Sequence, residues 1–204
     1  RDPEMSRGLG DVYKRQVLAY AENIENLKPL LGAVAHIANK HVSVGIRAEH
    51  YPIVGKHLIA SIKDVLGEAA TPELIDAWTA AYTRLADILI GAEKNIYDKN
   101  AVVEGGWTGW RFFKVAEKSK QTNDITSFKL VPVDHGKMPD VKAGQYISVR
   151  VFVKGQELIQ PRQYTVVKAD AASFTIAVKK VEAAEKSPAG MVSNTCLLYT
   201  SPSP

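Results

Sequence analysis

The sequence has a single cysteine, Cys196, and lacks any long hydrophobic run. One cysteine cannot form a disulfide within the chain, and no apolar segment with cationic flanks near the N-terminus resembles an export signal. No window approaches the roughly 18 apolar residues of a membrane span, so none is expected. We therefore expect a cytoplasmic protein in a reducing compartment.

The sequence also lacks a concentrated basic arm, although its formal net charge is +4. Residues 17–104 hold eight Lys/Arg and eleven Asp/Glu, whereas residues 105–204 hold fourteen and eight. The basic excess is spread along the second part and does not cluster as it does in nucleic-acid-binding segments, so no nucleic-acid partner is expected. The asymmetry predicts two domains of different composition.

Four segments can be separated along the chain. Residues 1–16 (RDPEMSRGLGDVYKRQ) and 196–204 (CLLYTSPSP) continue neither neighbouring pattern and resemble translated adapter sequence, so we predict that both are artefacts. The helical period of residues 17–104 changes to a strand period after Gly105 and Gly106, which predicts a helical domain over 17–104 and a β domain over 105–195.

Three polar residues of the helical part lie on otherwise apolar helix faces. His41 continues the stripe of Leu30, Val34 and Ile37. Pro52 begins and Gly67 ends a second helix, whose apolar face holds Val54, Leu58, Ile62 and Val65. Tyr51 lies on the same face, three residues before Val54. Glu93 lies on the stripe of a long helix capped by Thr71, with Leu74, Trp78, Tyr82, Leu85, Leu89 and Ile96. Each residue alone is more simply read as a core or helix-end residue.

The conjunction of the three points to a site, because burial of an unpaired polar group costs about 1 to 3 kcal/mol and mutual hydrogen bonds remove that cost. A histidine oriented by a tyrosine and a carboxylate is typical of a metal-ligating imidazole. His36 and His57 lie off these faces, and we interpret them as structural or solvent-facing. The sequence has no HExxH or CxxC motif, so we do not expect a bare metal site, and a haem with one protein ligand remains open.

Five segments after Gly106 are rich in β-branched and aromatic residues and are separated by Gly, Pro, Asp and Asn. They are WRFFKVAEK, ITSFKLVPV, GQYISVRVFV, RQYTVVKA and SFTIAVKKV. No helix between them is long enough for a crossover, so the strands must pair antiparallel, as a barrel or a sandwich. A short stretch at residues 183–190, AAEKSPAG, is expected to be a flexible loop.

Three motifs in these strands and turns suggest a nucleotide-phosphate site, although each could be an ordinary strand end or turn. Arg162, Tyr164 and Thr165 offer a phosphate clamp, a stacking face and a hydroxyl. A glycine such as Gly190 lets backbone N–H groups approach phosphate. The candidate residues are Tyr146, Arg162, Gln163, Tyr164, Thr165, Gly190, Val192 and Ser193.

The segments KHVSVGIRAEHYPIVGKHL, ILIGAEKNIY, GGW and QPRQYTVV, in this order, resemble the bacterial flavohaemoglobins, which are nitric oxide dioxygenases. The resemblance covers residues 17–195. It implies part of a globin fold followed by an antiparallel FAD-binding β-barrel of the ferredoxin-NADP reductase type. It would make His41 the proximal ligand of haem b, with Tyr51 and Glu93 as the partners that give the imidazole imidazolate character.

The same resemblance implies roles for further residues. Lys40 matches a lysine placed between haem and flavin, the residues Tyr146 and 162–165 match FAD contacts, and residues 190–193 match the phosphate loop. Thr165 stands where the family usually has serine, which keeps the hydroxyl.

In the implied reaction NAD(P)H reduces FAD, electrons pass to the haem, and O2 and NO are converted to nitrate by a monomer. The family's distal haem-pocket residues lie upstream of residue 17, and its NAD(P)H-binding domain lies downstream of residue 195. We therefore expect the chain alone not to perform the full reaction. Two alternatives are an oxygen-binding or oxygen-sensing globin without reductase activity and a ferredoxin-reductase-like flavoprotein whose helical half is an interaction module.

Overall fold

The computed structural model describes Tyr20 and residues 30–142, 144–184 and 188–198. The predicted artefact at 1–16, residues 199–204 and residues 185–187 of the loop lie outside the described residues. The chain divides into two compact units, one ending at Lys99 and the other beginning at Asn100. No helix within the described ranges is long and apolar enough to cross a membrane.

Within residues 30–102 the structure describes three α-helices, α1 (Leu31–Val44), α2 (Tyr51–Leu66) and α3 (Pro72–Val102), the last of which continues a few residues past the end of the helical unit. Helix α1 ends at Gly45, whose φ of 84° is the left-handed conformation that glycine adopts without strain. Short 3-10 turns at Ala48–His50 and Gly67–Ala69 follow α1 and α2.

Helix α3 begins as the sequence predicts. The Leu74 N–H donates to the Thr71 side-chain oxygen at 3.3 Å, and Pro72 occupies the first helical position, where no N–H is needed.

The core of the helical unit forms around Tyr51, Ala86 and Leu89, with Val34 and Ile37 of α1 packed against it. The apolar face predicted for α2 is buried at Tyr51 but not along the rest of its length, where Val54 is 56% and Val65 84% exposed. Helix α2 instead buries its Tyr51 and Gly55 side. Tyr82 of α3 explains this choice, because its ring occupies the space that a side chain at position 55 would need.

A methyl group at Gly55 would lie 2.5 Å from a ring carbon of Tyr82. We expect Gly55→Ala to destabilise the helical unit by about 1 to 3 kcal/mol, because overpacking outweighs the helix propensity gained. Gly91→Ala in α3 is the matched control, since among the described residues nothing beyond its own helix turn lies within 4 Å of the added methyl, and it should stabilise by about 0.5 to 1 kcal/mol. Urea unfolding of both variants measures the difference, and equal effects would contradict the packing role of Gly55.

In the described part of the second unit, five antiparallel strands form one sheet in the order β1-β2-β5-β4-β3. Their bounds are β1 Phe113–Lys120, β2 Ile125–Pro132, β3 Tyr146–Val151, β4 Gln160–Asp170 and β5 Ser173–Lys179. All five lie within or overlap the predicted segments. Alternate residues of the central strands form the core, notably Phe128 and Leu130 in β2 and Phe174, Ile176 and Val178 in β5.

The sheet is curled, and a helix covers its core. The Arg150 guanidinium of edge strand β3 lies 4.2 Å from the centre of the Trp110 ring, just before edge strand β1, so the two edges approach each other. Helix α4 (Met191–Leu198) contacts β3, β4 and β5, and Lys118 of β1 donates to the carbonyl of Leu197. Cys196, the first residue of the predicted artefact at 196–204, is buried in this core.

An arginine clasp holds the turn that follows β2. Arg111 donates to both carboxylate oxygens of Asp134, at 2.9 and 2.7 Å, and to the carbonyl of Lys137 at 3.0 Å. The Gly136 N–H also donates to Asp134, at 2.9 Å. The Arg111 hydrogen bonds, followed by that of Gly136, lower the pKa of Asp134 from 3.8 to about 2.

This lowered pKa predicts an acid dependence of stability. A carboxylate whose pKa is lower in the folded than in the unfolded state stabilises the fold at pH values above its unfolded-state pKa. That contribution is lost as the pH falls from 3.8 towards 2. Thermal unfolding of the parent should therefore show a larger drop in Tm over this range than unfolding of Asp134→Asn. Parallel curves for the two proteins would show that the clasp does not contribute.

Candidate functional site

His41, Tyr51 and Glu93 meet in the helical unit. His41 lies in the last turn of α1, Tyr51 is the first residue of α2, and Glu93 lies on the inner face of α3. Glu93 Oε1 is 2.7 Å from His41 Nδ1 and 2.5 Å from the Tyr51 hydroxyl oxygen. His41 Nδ1 and the Tyr51 hydroxyl oxygen are 3.1 Å apart. The predicted burial of Glu93 is realised, since its side chain is 2% exposed.

The hydrogen-bond inventory assigns the protons in this cluster. The Tyr51 hydroxyl has one proton and donates it to Glu93, and burial followed by this bond to Glu93 raises the pKa of Tyr51, which keeps it protonated. An ionised Glu93 only accepts, so His41 Nδ1 must also carry a proton towards it. In neutral His41 this leaves the lone pair on Nε2, the nitrogen that would bind a metal.

Two tyrosines of α3 support the cluster from either side of Glu93. The sequence motifs mark neither of them as a site residue. The Tyr82 hydroxyl donates to the carbonyl of Tyr51 at 2.6 Å, and the Tyr97 hydroxyl donates to the carbonyl of Ile46 at 2.6 Å. Tyr82 was assigned to the apolar stripe, and Tyr97 lies four residues after Glu93. This i, i+4 spacing is the signal that could have found it.

The chemistry of this donor set fits a haem. The His41 side chain is 34% exposed, so its ring is not enclosed by protein. Within the described part of the chain, no group of three or more His, Cys, Asp or Glu side chains could hold a metal ion. A group that needs one imidazole ligand, oriented through its other nitrogen, suits His41 better than a bare ion does. Lys40 precedes His41 in α1 and is half-buried, and its position between haem and flavin stays a prediction.

The candidate flavin residues of the sheet unit lie on neighbouring strands. In the β3–β4 ladder Tyr146 faces Thr165 and Ser148 faces Gln163, so these four share one face of the sheet. Arg162 and Tyr164 lie on the opposite face by strand alternation. The expected arrangement of arginine, aromatic ring and hydroxyl therefore uses both faces of β4.

Tyr164 is more deeply integrated in the fold than its motif indicates. It packs against the sheet core, and burial together with the neighbouring Cys196 thiol raises the pKa of Tyr164 to about 12. Arg162 is exposed and donates to the carbonyl of Pro161 at 2.8 Å. Of these two residues, Arg162 is the one whose side chain can reach a ligand without disturbing the core.

The segment 190–193 forms the start of α4, and its side chains are used differently from the prediction. The Gly190 N–H donates to the carbonyl of Val181 at 2.9 Å, so it is already engaged, and a methyl group at Gly190 would lie 2.7 Å from the Val181 side chain. Val192 is 1% exposed in the core, and Ser193 Oγ donates to the carbonyl of Gly190 at 3.1 Å. Any phosphate contact of Val192 must therefore come from the helix N-terminal N–H groups.

One polar atom of the sheet unit has no protein partner. Among the described residues, Ser148 Oγ is buried without a hydrogen bond, and it lies on the same sheet face as Tyr146, Gln163 and Thr165. Buried hydroxyls are normally satisfied, so an orphan here is consistent with a ligand that supplies the missing bond. This face therefore fits a polar cofactor such as a flavin nucleotide.

Comparisons with known proteins agree with both halves of this picture. The globin family model matches residues 10–89, which include part of the segment set aside at 1–16. A flavohemoprotein of Bordetella pertussis is 58% identical over 181 residues, covering 88% of this chain and 44% of the relative. A flavohemoprotein of Chromobacterium violaceum is 52% identical over 179 residues, covering 87% and 44%.

A solved structure extends the similarity to three dimensions. The flavohemoglobin of Malassezia yamatoensis, determined with bound FAD and heme, is 31% identical with a TM-score of 0.70, covering 83% of this chain and 42% of that one. The chain spans less than half the length of these relatives. Over most of its own length it is similar to the flavohemoproteins, with a helical globin part followed by an antiparallel sheet of the reductase type.

Proposed function

We propose that this chain supplies the haem-ligating and flavin-binding elements of an NAD(P)H-dependent nitric oxide dioxygenase, which converts NO and O2 to nitrate. The observation that carries the proposal is the hydrogen-bonded cluster of His41, Tyr51 and Glu93, each contributed by a different helix. The similarity of 83% of the chain to a flavohemoglobin determined with FAD and heme supports the choice of cofactors.

His41 would hold the haem iron through Nε2, and the haem when bound supplies the redox chemistry for O2 and NO. The protein's contribution is electronic. His41 Nδ1–H donates to the buried Glu93 Oε1, 2.7 Å from Nδ1, which increases negative character on the imidazole and makes Nε2 a stronger electron-pair donor. Tyr51 binds the same carboxylate oxygen and fixes its position.

The flavin would bind along β3 and β4, where Tyr146, Thr165 and the orphan hydroxyl of Ser148 share one face. The positive charge of Arg162 suits a pyrophosphate, and the first N–H groups of α4 suit an anion. Electron transfer from NAD(P)H through FAD to the haem is the reaction that would need both cofactors in one protein.

Cofactor titration of the purified chain separates this proposal from its alternatives. Added haem should give a Soret band and added FAD a saturable flavin signal, each at one equivalent. Binding of haem alone would favour an oxygen-binding globin, and binding of FAD alone would favour a flavoprotein with a helical interaction module. Joined to the family's distal haem-pocket segment and NAD(P)H-binding domain, the same region should convert NO and O2 to nitrate at the expense of NAD(P)H, and the absence of nitrate there would argue against the dioxygenase.

Replacement of the proposed ligand tests the haem site. His41→Ala should abolish stoichiometric haem binding, since the other histidine of α1, His36, is exposed on another face. His36→Ala is the matched control and should bind haem like the parent. A five-coordinate, histidine-ligated haem in the His41→Ala variant would overturn the assignment.

Glu93→Gln tests the electronic contribution. The variant should retain haem, but the iron–histidine stretching frequency of its ferrous form should fall, because a neutral amide accepts a weaker hydrogen bond from His41 Nδ1 than a carboxylate does. Resonance Raman spectroscopy measures the change. An unchanged frequency would contradict a functional contact between Glu93 and His41.

Two substitutions on β4 test the flavin site. Arg162→Ala should weaken FAD binding by about 1 to 3 kcal/mol, the range for loss of a charge-assisted hydrogen bond to phosphate. Tyr164→Phe keeps the ring that packs against the core, and this variant should preserve most of the FAD affinity. FAD affinity unchanged in Arg162→Ala would place the site elsewhere.

A further inference from the structure

The connection between α1 and α2 is tied to α3 by one tyrosine. The Tyr97 hydroxyl donates to the carbonyl of Ile46 at 2.6 Å. The N–H of Ile46 in turn donates to the carbonyl of His41 at 3.0 Å, within the turn that ends α1. Ile46 therefore links Tyr97 directly to the backbone of His41.

The Tyr97 ring is itself restrained. The guanidinium of Arg47 lies 3.9 Å from its centre, in cation–π contact, and the backbone of Arg47 is fixed by its N–H bond to His50 Nδ1 at 2.9 Å. Burial raises the pKa of Tyr97, so its hydroxyl remains a donor. Since Glu93 and Tyr97 are one turn apart on α3, the same rigid helix holds both the side-chain acceptor of His41 and the anchor of its backbone.

We propose that Tyr97, braced by Arg47, is a positioning residue that sets the orientation of the His41 imidazole towards Glu93. Two points are needed to fix the ring: the Nδ1 bond to Glu93 and the position of the α1 terminus. Without the second, the last turn of α1 can shift relative to α3, and the 2.7 Å contact between His41 and Glu93 lengthens. The inference rests on the proposed function insofar as His41 is the haem ligand.

Tyr97→Phe removes the hydroxyl and keeps the ring under Arg47. In the cofactor-free full chain labelled with 15N-histidine, long-range 1H–15N NMR reports the share of His41 protonated at Nδ1. We expect the parent to be mainly Nδ1-protonated and the variant to contain about fivefold more of the Nε2-protonated form, the factor that one ordinary hydrogen bond represents. Combined with Glu93→Gln, Tyr97→Phe should add no further change.

Tyr20→Phe is the matched control, because the Tyr20 hydroxyl also donates to a backbone carbonyl of α3, that of Ala81 at 2.8 Å, remote from His41. This variant should leave the His41 signals unchanged even if it lowers stability. Arg47→Gln keeps the Tyr97 hydroxyl but removes the cation over its ring, and it should shift the tautomer in the same direction by a smaller factor. Circular dichroism tests whether each variant is folded. If Tyr97→Phe does not fold, the tautomer ratio of Arg47→Gln decides the role of Tyr97.

With haem bound, Tyr97→Phe should lower the iron–histidine stretching frequency, while Tyr20→Phe should not. A parental tautomer ratio in folded Tyr97→Phe, or an equal change in Tyr20→Phe, overturns the inference and leaves the proposed function intact. Failure of the parent to bind haem overturns the proposed function instead, and the NMR result on the cofactor-free chain still decides the role of Tyr97.

Discussion

The buried carboxylate of Glu93 imposes the arrangement of the helical unit. A carboxylate that is 2% exposed must receive hydrogen bonds, and its two donors come from the end of α1 and the start of α2. The three helices therefore have to meet at one place. Tyr82 holds the start of α2 and Tyr97 holds the α1–α2 connection to α3, so four side-chain contacts on one helix fix the geometry of a single imidazole.

In the sheet unit, strand alternation places apolar side chains in the core and polar side chains on the outer face of the sheet. Strand alternation sends Val166 inward from β4 and exposes Thr165, and the opposite residues of β3 follow the same alternation. A ligand on the proposed flavin face would be bound by groups whose backbones are held in the β3–β4 ladder. The same rule places Tyr164 towards the core, where it contributes to stability as well as to any site.

Much of this arrangement can be predicted from periodicity. The Thr71 cap, the burial of Glu93 and the five strands all follow from local patterns that tertiary packing did not override. The buried face of α2 could not be predicted, because the hydrophobic stripe through Val54 and Val65 is stronger in sequence than the Gly55 side that Tyr82 selects. Likewise, the use of Gly190 for close packing with Val181 depends on a contact between residues with no pattern linking them.

Helix α4 has a consequence for the order in which the sheet unit folds. The β1–β2 and β4–β5 pairs join strands that are close in the chain and can form early, whereas α4 follows all five strands and contacts four of them, β3, β4, β5 and, through Lys118, β1. During synthesis the concave side of the sheet, including Phe174 and Val178, stays uncovered until the residues of α4 have left the ribosome. Nascent chains of this unit are thus exposed to aggregation and to chaperones over that interval.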